Sequence, residues 1–201
     1  MADKTYRFSE IHTLPKGERL SYFWTYYKLH TIIIAAVLIA VVSTVVSLAT
    51  RVKPDVQLLL MSNTFSSTEV ETLETQLCQL PIDNNGDGKN VASIYDVAFA
   101  DAETTDAYVV MQAVTALSAS DYVLLLVGQG AFDYLMGMDV LADESGNPAT
   151  TDTVFTLPAS EAPGLGLPDR DDLVLCLRAR PENDDGYYDT QLSALDVIRQ
   201  G

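Results

Sequence analysis

The longest apolar run in the chain lies close to its amino terminus. Residues 29–50 contain no Asp, Glu, Lys or Arg and are mostly Ile, Val, Leu and Ala. A helix rises about 1.5 Å per residue, so roughly 20 such residues cross a hydrocarbon core of about 30 Å. A helix from a soluble core would carry polar residues along one side, and this run does not. The pattern predicts a transmembrane helix at residues 29–50 that contacts the lipid bilayer.

Aromatic residues crowd the amino-terminal end of this run. They are Tyr22, Phe23, Trp24, Tyr26 and Tyr27. Tyr and Trp favour the headgroup level, where an apolar ring keeps a polar edge near water. Lys28 can extend from the same level, while Arg51 and Lys53 close the run on its other side. Residues 1–28 are therefore predicted to be a tail that ends in an interfacial aromatic belt.

A cleaved signal peptide is the alternative interpretation of the same run. Its apolar core would have about 7–15 residues behind a short basic segment. Here the run is longer, and the residues before it include three acids, Asp3, Glu10 and Glu18. These features favour an uncleaved anchor. The five Lys and Arg residues of the tail favour a cytoplasmic amino terminus, which predicts a single-pass protein of the cell membrane with residues 54–201 outside.

Residues 54–201 alternate between short apolar runs and segments with helical spacing. The runs that predict buried strands lie at 55–61, 91–99 and 121–128. The segments with helical spacing lie at 66–80, 104–120 and 129–138. Thr68 and Glu71 fit a capping box at the start of the first of these helices. Such alternation is typical of βαβ units with parallel strands.

The carboxyl-terminal part follows a different pattern. After a loop-like segment at 142–151, two strand candidates at 152–158 and 171–179 are joined by a Gly- and Pro-rich segment. An amphipathic helix ends the chain, with one face formed by Tyr188, Leu192, Leu195 and Ile198. The whole predicts an α/β fold, a single three-layer lobe with a mostly parallel, mixed sheet of about five strands.

Charge and cysteine content narrow the function classes. From residue 29 onward there are seven basic and 25 acidic residues, a net charge of −18. Nucleic acid is not expected as a partner, because phosphate binding needs clustered Lys and Arg. Cys78 and Cys176 can form a disulfide in an exported domain, or can be two buried thiols. Two cysteines in a domain of this size favour the thiols.

The loop with sequence DNNGDGKN is the most specific local motif. Asp83, Asn85, Asp87 and the following Gly match the first half of an EF-hand loop, in which alternate oxygen ligands converge on calcium. The twelfth position should supply a bidentate acid, but it is Ile94, and Asp96 lies two residues beyond. Asn, Asp and Gly also favour tight turns. The missing ligand favours a turn over a calcium site.

Catalytic motifs are not evident. The histidines are His12 and His30, so residues 54–201 contain no Ser-His-Asp, Cys-His or histidine metal arrangement. Three acid pairs, Asp143-Glu144, Asp171-Asp172 and Asp184-Asp185, lie in loop-like stretches and favour a solvated surface. The segment Gly128-Gln129-Gly130 lacks the third Gly and the Lys of phosphate-binding loops. A tight turn between strand and helix is the favoured interpretation.

The segment VTALSASDYVLLLVGQGAFDYLMGMDVLAD (114–143), with the final strand and helix, resembles one lobe of the type II extracellular solute-binding proteins of bacterial transporters. With its aromatic entrance and anchor, the chain is also similar to small single-pass proteins of Gram-positive bacteria that carry such a lobe. The resemblance implies an extracellular α/β lobe that binds a solute. That family holds its ligand between two lobes, whereas about 148 residues form one lobe, so no ligand residue is carried over.

Two functions follow from these observations. The first is a membrane-anchored, non-enzymatic module outside the cytoplasm that binds a protein or a solute. The second is a cell-surface hydrolase or transferase that works through carboxylates, with a cation held at Asp83, Asn85 and Asp87.

Overall fold

The computed structural model describes residues 16–49, 54–119, 122–184 and 186–201. The chain divides into two units, Met1–Val52 and Lys53–Gly201. The described part of the first unit is a helix, and the second unit has an α/β fold.

Helix α1 (Lys16–Ala49) contains the apolar run. Its segment Lys28–Val46 has 19 residues, a mean hydropathy of 2.6 and no buried residue. Among the described residues it is the one helix long and apolar enough to cross a membrane, which confirms that part of the prediction. Trp24 is exposed. The other aromatic side chains of the predicted belt lie outside the described residues, as do residues 1–15 and 50–53.

The second unit contains a mixed sheet of five strands in the order β2-β1-β3-β5-β4. The strands are β1 (Val56–Met61), β2 (Ala92–Val97), β3 (Leu124–Gly128), β4 (Thr156–Pro158) and β5 (Leu173–Leu177). β1 pairs in parallel with β2 and β3, whereas β5 pairs antiparallel with β3 and β4. The α/β class and the mixed, five-stranded sheet are confirmed.

The prediction that the sheet is mostly parallel is wrong. Two of the four strand pairs are antiparallel, and two isolated antiparallel bridges, Leu141 with Arg178 and Ala142 with Pro148, add to them. The cause is the connection from β4 to β5, which contains two short 3₁₀ turns instead of a crossover helix. Without a long crossover, β5 enters beside the end of β3 and returns in the opposite direction.

Four helices of the described residues accompany the sheet. They are α2 (Ser67–Leu77), α3 (Ala107–Ser118), α4 (Gln129–Gly137) and α5 (Tyr187–Gln200). The predicted capping box at Thr68 and Glu71 is wrong by two residues. Ser66 caps α2, its side chain accepts the Glu69 N–H, and the Glu69 carboxylate accepts the Ser66 N–H. The same residue spacing occurs at both pairs, so the motif alone does not select one.

Alternate strand residues belong to two separate hydrophobic clusters. Leu58 and Leu60 of β1 belong to a first cluster with buried residues of α2 and α5, such as Leu73 and Leu195. Intervening strand residues, such as Leu59, belong to a second cluster with residues of α3 and α4. Side chains alternate between the faces of a strand, which explains the split. The predicted apolar face of α5 is confirmed: Tyr188, Leu195 and Ile198 are buried, and Leu192 is half-buried.

Candidate functional site

The DNNGDGKN loop forms a tight turn between α2 and β2. The Asp83 carboxylate accepts the N–H groups of Asp87 and Gly88 at 3.1 and 3.0 Å. The Asn85 side-chain oxygen also accepts the Asp87 N–H, at 2.9 Å. Gly86 and Gly88 have φ angles of +71° and +75°, a conformation that favours glycine. The loop geometry is therefore that of a turn closed by its own polar side chains.

The structure places no further acidic ligand at this turn among the described residues. Ile94, at the position of the missing acid, lies in β2 and packs against the first cluster. Within the described residues, no group of three or more His, Cys, Asp and Glu residues is placed to hold a metal. Asp83, Asn85 and Asp87 lie in one exposed turn, and calcium binding there stays the less favoured alternative.

A buried carboxylate lies beside this loop, at the amino-terminal end of β1. Asp55 is 1% exposed. One of its carboxylate oxygens accepts the N–H groups of Asn84 and Asn85 at 2.9 and 3.2 Å. The other accepts the Val91 N–H at 2.9 Å. A buried charge requires such partners, and Asp55 thereby holds both ends of the loop against the sheet.

Two amide side chains extend this network to the carboxyl-terminal helix. Gln191 of α5 is fully buried and donates to the Asp55 carbonyl at 2.8 Å, while it accepts the Gln57 N–H at 3.1 Å. Asn84 donates to the carbonyls of Asp55 and Thr190, both at 3.0 Å. The start of β1, the loop and α5 are therefore joined by hydrogen bonds between segments far apart in the sequence.

These groups border a cleft of about 270 Å³. It is lined by Pro54, Asp55, Asn84, Asn85, Gly186, Tyr187, Thr190 and Gln191. The volume is slightly below the range of about 300–1,000 Å³ typical of ligand pockets. The Asp55 carboxylate already accepts three N–H groups, so it is held by the protein rather than directed at a ligand in the cleft.

The sequence patterns did not predict this network. Asp55 directly precedes an apolar strand, and Gln191 lies between Tyr188 and Leu195 on the apolar face of α5. A polar residue on an otherwise apolar helix face was the one available indication, because a buried amide needs hydrogen-bonding partners. Nothing in the sequence identified Asn84 as one of those partners.

The predicted acid pairs do not converge on a common site. Asp143 accepts the N–H groups of Ser145 and Asn147, both at 2.9 Å, and the hydrogen bonds from Asn147 lower its pKa. Asp184 forms an ion pair with Arg180 at 3.0 Å. Asp185 lies outside the described residues. Asp143 is therefore held by the backbone of its own turn and Asp184 by an ion pair.

The third acid pair belongs to a polar cluster at the carboxyl-terminal end of β1. Arg170 forms an ion pair with Asp172 at 2.8 Å and lies 3.6 Å from the Glu69 carboxylate. It also donates to the Thr64 hydroxyl, and its guanidinium lies 4.4 Å from the centre of the Phe65 ring. Hydrogen bonds from Arg170 lower the pKa of Asp172, and hydrogen bonds from the Ser66 backbone and hydroxyl lower that of Glu69.

The Gly128-Gln129-Gly130 segment makes a tight turn, as predicted. β3 ends at Gly128 and α4 begins at the next residue. A Cβ atom at Gly130 would lie 2.1 Å from the Ala100 carbonyl oxygen, so the close approach of α4 to the loop after β2 requires glycine. The segment is explained by packing.

Both cysteines are free thiols. Cys78 packs against the first cluster, and its sulfur accepts the Ala92 N–H at 3.3 Å. Cys176 is buried in the second cluster, and burial raises its pKa to about 12. The favoured interpretation of two buried thiols holds for Cys176, whereas Cys78 is half-buried.

Comparison of the chain with protein-family models, with curated proteins and with solved structures gives no match.

Proposed function

We propose that the chain is a single-pass membrane protein whose α/β domain, residues 54–201, is a non-enzymatic binding module outside the cytoplasm. The segment Lys28–Val46, with 19 residues and none buried, is the observation that carries this proposal. Exposing a Val, Leu or Ile side chain to water costs about 1.5–3 kcal/mol. A helix that exposes more than ten of them is stable in a lipid bilayer rather than in water.

Binding is favoured over catalysis because three carboxylates of the domain, beside the cleft and in the turns, are occupied by partners. Asp55 accepts three backbone N–H groups, Asp143 accepts turn N–H groups, and Asp172 pairs with Arg170. A general base or nucleophile needs a free and activated group. The two hydrophobic clusters support a three-layer lobe, and a single lobe binds its partner on its own surface.

Membrane association is tested on the full-length chain by flotation of a cell lysate with alkaline extraction of the floated fraction. We expect the wild-type chain to float and to resist extraction. The double variant Leu38→Arg and Val42→Arg should lose this property, because each Arg at the centre of a span costs about 2.5–3.5 kcal/mol. The control variant carries the same two arginines in the α/β domain, as Asp152→Arg and Asp171→Arg. Wild-type chain in the soluble fraction, or a mature chain beginning near Thr50, would overturn the proposal.

Topology is tested with a membrane-impermeant maleimide on intact cells. Asp152 is exposed in the α/β domain, so Asp152→Cys should react, whereas Ala2→Cys in the tail should react only after lysis. The opposite pattern of labelling would contradict the proposed orientation.

A fragment that starts at Pro54 is expected to be a soluble, folded monomer, to be checked by near-ultraviolet dichroism and light scattering.

A further inference from the structure

Strand β2 leaves a free edge on its side of the sheet. It is the outermost strand in the order and pairs only with β1 among the described strands. The carbonyls of Val91 and Val97 accept N–H groups from the ends of β1. Alternate residues of a strand direct their backbone groups to the same side. Ile94 and Asp96 alternate with these residues along the strand, so their N–H and C=O groups point to the opposite side, away from the sheet.

One side of this edge carries carboxylates. The Ala92 N–H, which points outward, donates to Cys78 at the end of α2, so this face of α2 lies over the edge. Glu74 and Glu71 lie one and two turns before Cys78 on the same helix face and are exposed. Asp96 is in register with a β1 residue of the first cluster, which places its side chain on the same side of the sheet.

These three carboxylates have no cationic partner within the described residues. Neither Glu71, Glu74 nor Asp96 is in an ion pair there. Burial raises the pKa of Asp96, as expected for a partly desolvated charge without a cation beside it. The edge is therefore bordered by uncompensated negative charge.

The opposite side of the edge is apolar and aromatic. Tyr95 is in register with Leu59 of the second cluster, is 38% exposed, and its ring centre lies 5.8 Å from that of Tyr122. Helix α3, which also contributes to the second cluster, contains no charged residue and exposes Tyr108 and Met111 by 62% and 59%. An uncharged surface helix is unusual on a domain with so many acids.

We infer that the free edge of β2 binds an extended segment of a partner protein in which basic and apolar residues alternate. The segment adds a strand to the sheet through the outward backbone groups of Ile94 and Asp96. Because successive side chains of a strand alternate in direction, its basic residues face the carboxylates and its apolar residues face Tyr95 and Tyr122. This inference rests on the proposed binding function and names its partner. A second copy of the chain is disfavoured, because it would bring the carboxylates of two α2 helices together.

The test uses the full-length chain in nanodiscs of zwitterionic lipid, with empty nanodiscs as blank. The probe is a short labelled peptide of alternating Lys and Val, compared with the same residues in two blocks and with alternating Glu and Val. We expect only the alternating Lys peptide to bind, measured by fluorescence anisotropy. In amide hydrogen exchange by NMR, the bound peptide should protect Ile94 and Asp96 and leave Tyr95 unchanged. Equal binding of the block peptide would overturn the inference.

Two variants locate the site. Ile94→Pro removes an outward N–H and leaves the β1 ladder intact, so it should abolish binding. Neutralising the edge with Glu71→Gln, Glu74→Gln and Asp96→Asn should weaken binding about tenfold or more. The control neutralises three other exposed acids, with Asp152→Asn, Asp171→Asn and Glu182→Gln, and should have little effect. An equal loss in the control would mean that net charge alone attracts the peptide, which overturns the inference.

The remaining outcomes are also decisive. If Ile94→Pro does not fold, judged by circular dichroism, the carboxylate variant and its control decide. Self-association of the wild-type chain that competes with the peptide would assign the edge to a second copy and overturn the inference. Flotation separates the two proposals: a chain that floats but does not bind the peptide loses this inference alone, and one that binds but does not float loses the membrane proposal alone.

Discussion

The two ends of strand β1 are both polar, but they satisfy their polar groups in opposite ways. At the amino-terminal end, the buried Asp55 carboxylate accepts three backbone N–H groups, and the buried Gln191 completes the network. At the carboxyl-terminal end, Arg170 is 18% exposed and its partner Asp172 is 50% exposed. The first end is a desolvated hydrogen-bond network, and the second is a cluster of ion pairs that water reaches.

This difference decides what each end contributes to stability. When a buried acceptor is removed, its donors lose their partner and gain no water, so the cost is the full desolvation penalty. When a solvated ion pair is broken, water replaces the partner, and the net loss is small. The amino-terminal end should therefore dominate the stability of the domain, although the carboxyl-terminal end has more charges. The stability of the domain is measured on a fragment that starts at Pro54.

The largest effect is expected for Asp55→Ala. It leaves the N–H groups of Asn84, Asn85 and Val91 without their acceptor, and should lower the free energy of unfolding by about 3–5 kcal/mol. Urea denaturation followed by circular dichroism measures it. Asp152→Ala removes an equal charge from an exposed turn and should change stability by about 0.5 kcal/mol or less. A loss at Asp55 as small as that of the control would remove the proposed difference between the two ends.

Gly130→Ala should cost less, because it strains packing and leaves hydrogen bonds intact. The added Cβ would lie 2.1 Å from the Ala100 carbonyl oxygen, a backbone atom that cannot rotate away. A loss of about 1–3 kcal/mol is expected. Gly137→Ala, in the same helix α4, meets no atom within 4 Å and should be neutral or stabilising. Equal stability of the two variants, measured by denaturation, would show that α4 moves to accommodate the methyl group.

Arg170→Met tests the carboxyl-terminal end. The variant keeps an apolar side chain against Phe65 but loses the ion pair with Asp172 and the cation–π contact. A loss of about 1 kcal/mol is expected, well below that of Asp55→Ala. Arg199→Met breaks a more exposed pair with Glu144 and should cost still less. A loss at Arg170 that equals the loss at Asp55 would contradict the ranking of the two ends.

The acid dependence of the same cluster gives a smaller effect. Arg170 lowers the folded-state pKa of Asp172, and Ser66 lowers that of Glu69. A carboxyl group with a lowered folded pKa binds fewer protons when folded, so its stabilisation is present above its ordinary pKa of about 4 and is lost below it. The stability difference between wild type and Arg170→Met should therefore shrink as the pH falls from about 6 to about 3. A stability difference that does not change with pH would show that Arg170 does not lower the pKa of Asp172.

How much of this structure could be predicted from the sequence depends on whether the cause is local. The apolar run of α1, the buried strands β1 and β3 and the apolar face of α5 follow from periodicity alone. The direction of β5 does not, because it depends on the lack of a crossover helix after β4 and on which strands become its neighbours. The capping residue of α2 was misplaced because two overlapping Ser/Thr-to-Glu spacings occur within residues 66–71.

The sites differ in the same way: those formed by neighbouring residues could be predicted, and those formed by distant residues could not. The loop at Asp83, Asn85 and Asp87 could be predicted because its residues are adjacent in the sequence and bond to each other. The Asp55 network could not, because Gln191 is separated from Asp55 by 136 residues. The edge of β2 depends on strand order, which no local pattern contains.

Calcium addition is expected to leave the stability of the domain unchanged, which is the smallest of these effects. Asp83 and Asn85 already close the turn by accepting N–H groups, and Ile94 replaces the acid that a full loop needs. If the loop did bind calcium, a concentration of about ten times Kd would add roughly 1.4 kcal/mol of stability. Thermal melts in calcium and in chelator measure this, with Asp83→Ala as the matched variant. An upward shift that Asp83→Ala abolishes would make the loop a metal site. Because the loop N–H groups of Asn84 and Asn85 also bond to Asp55, the ion would then stabilise the amino-terminal end of β1 further.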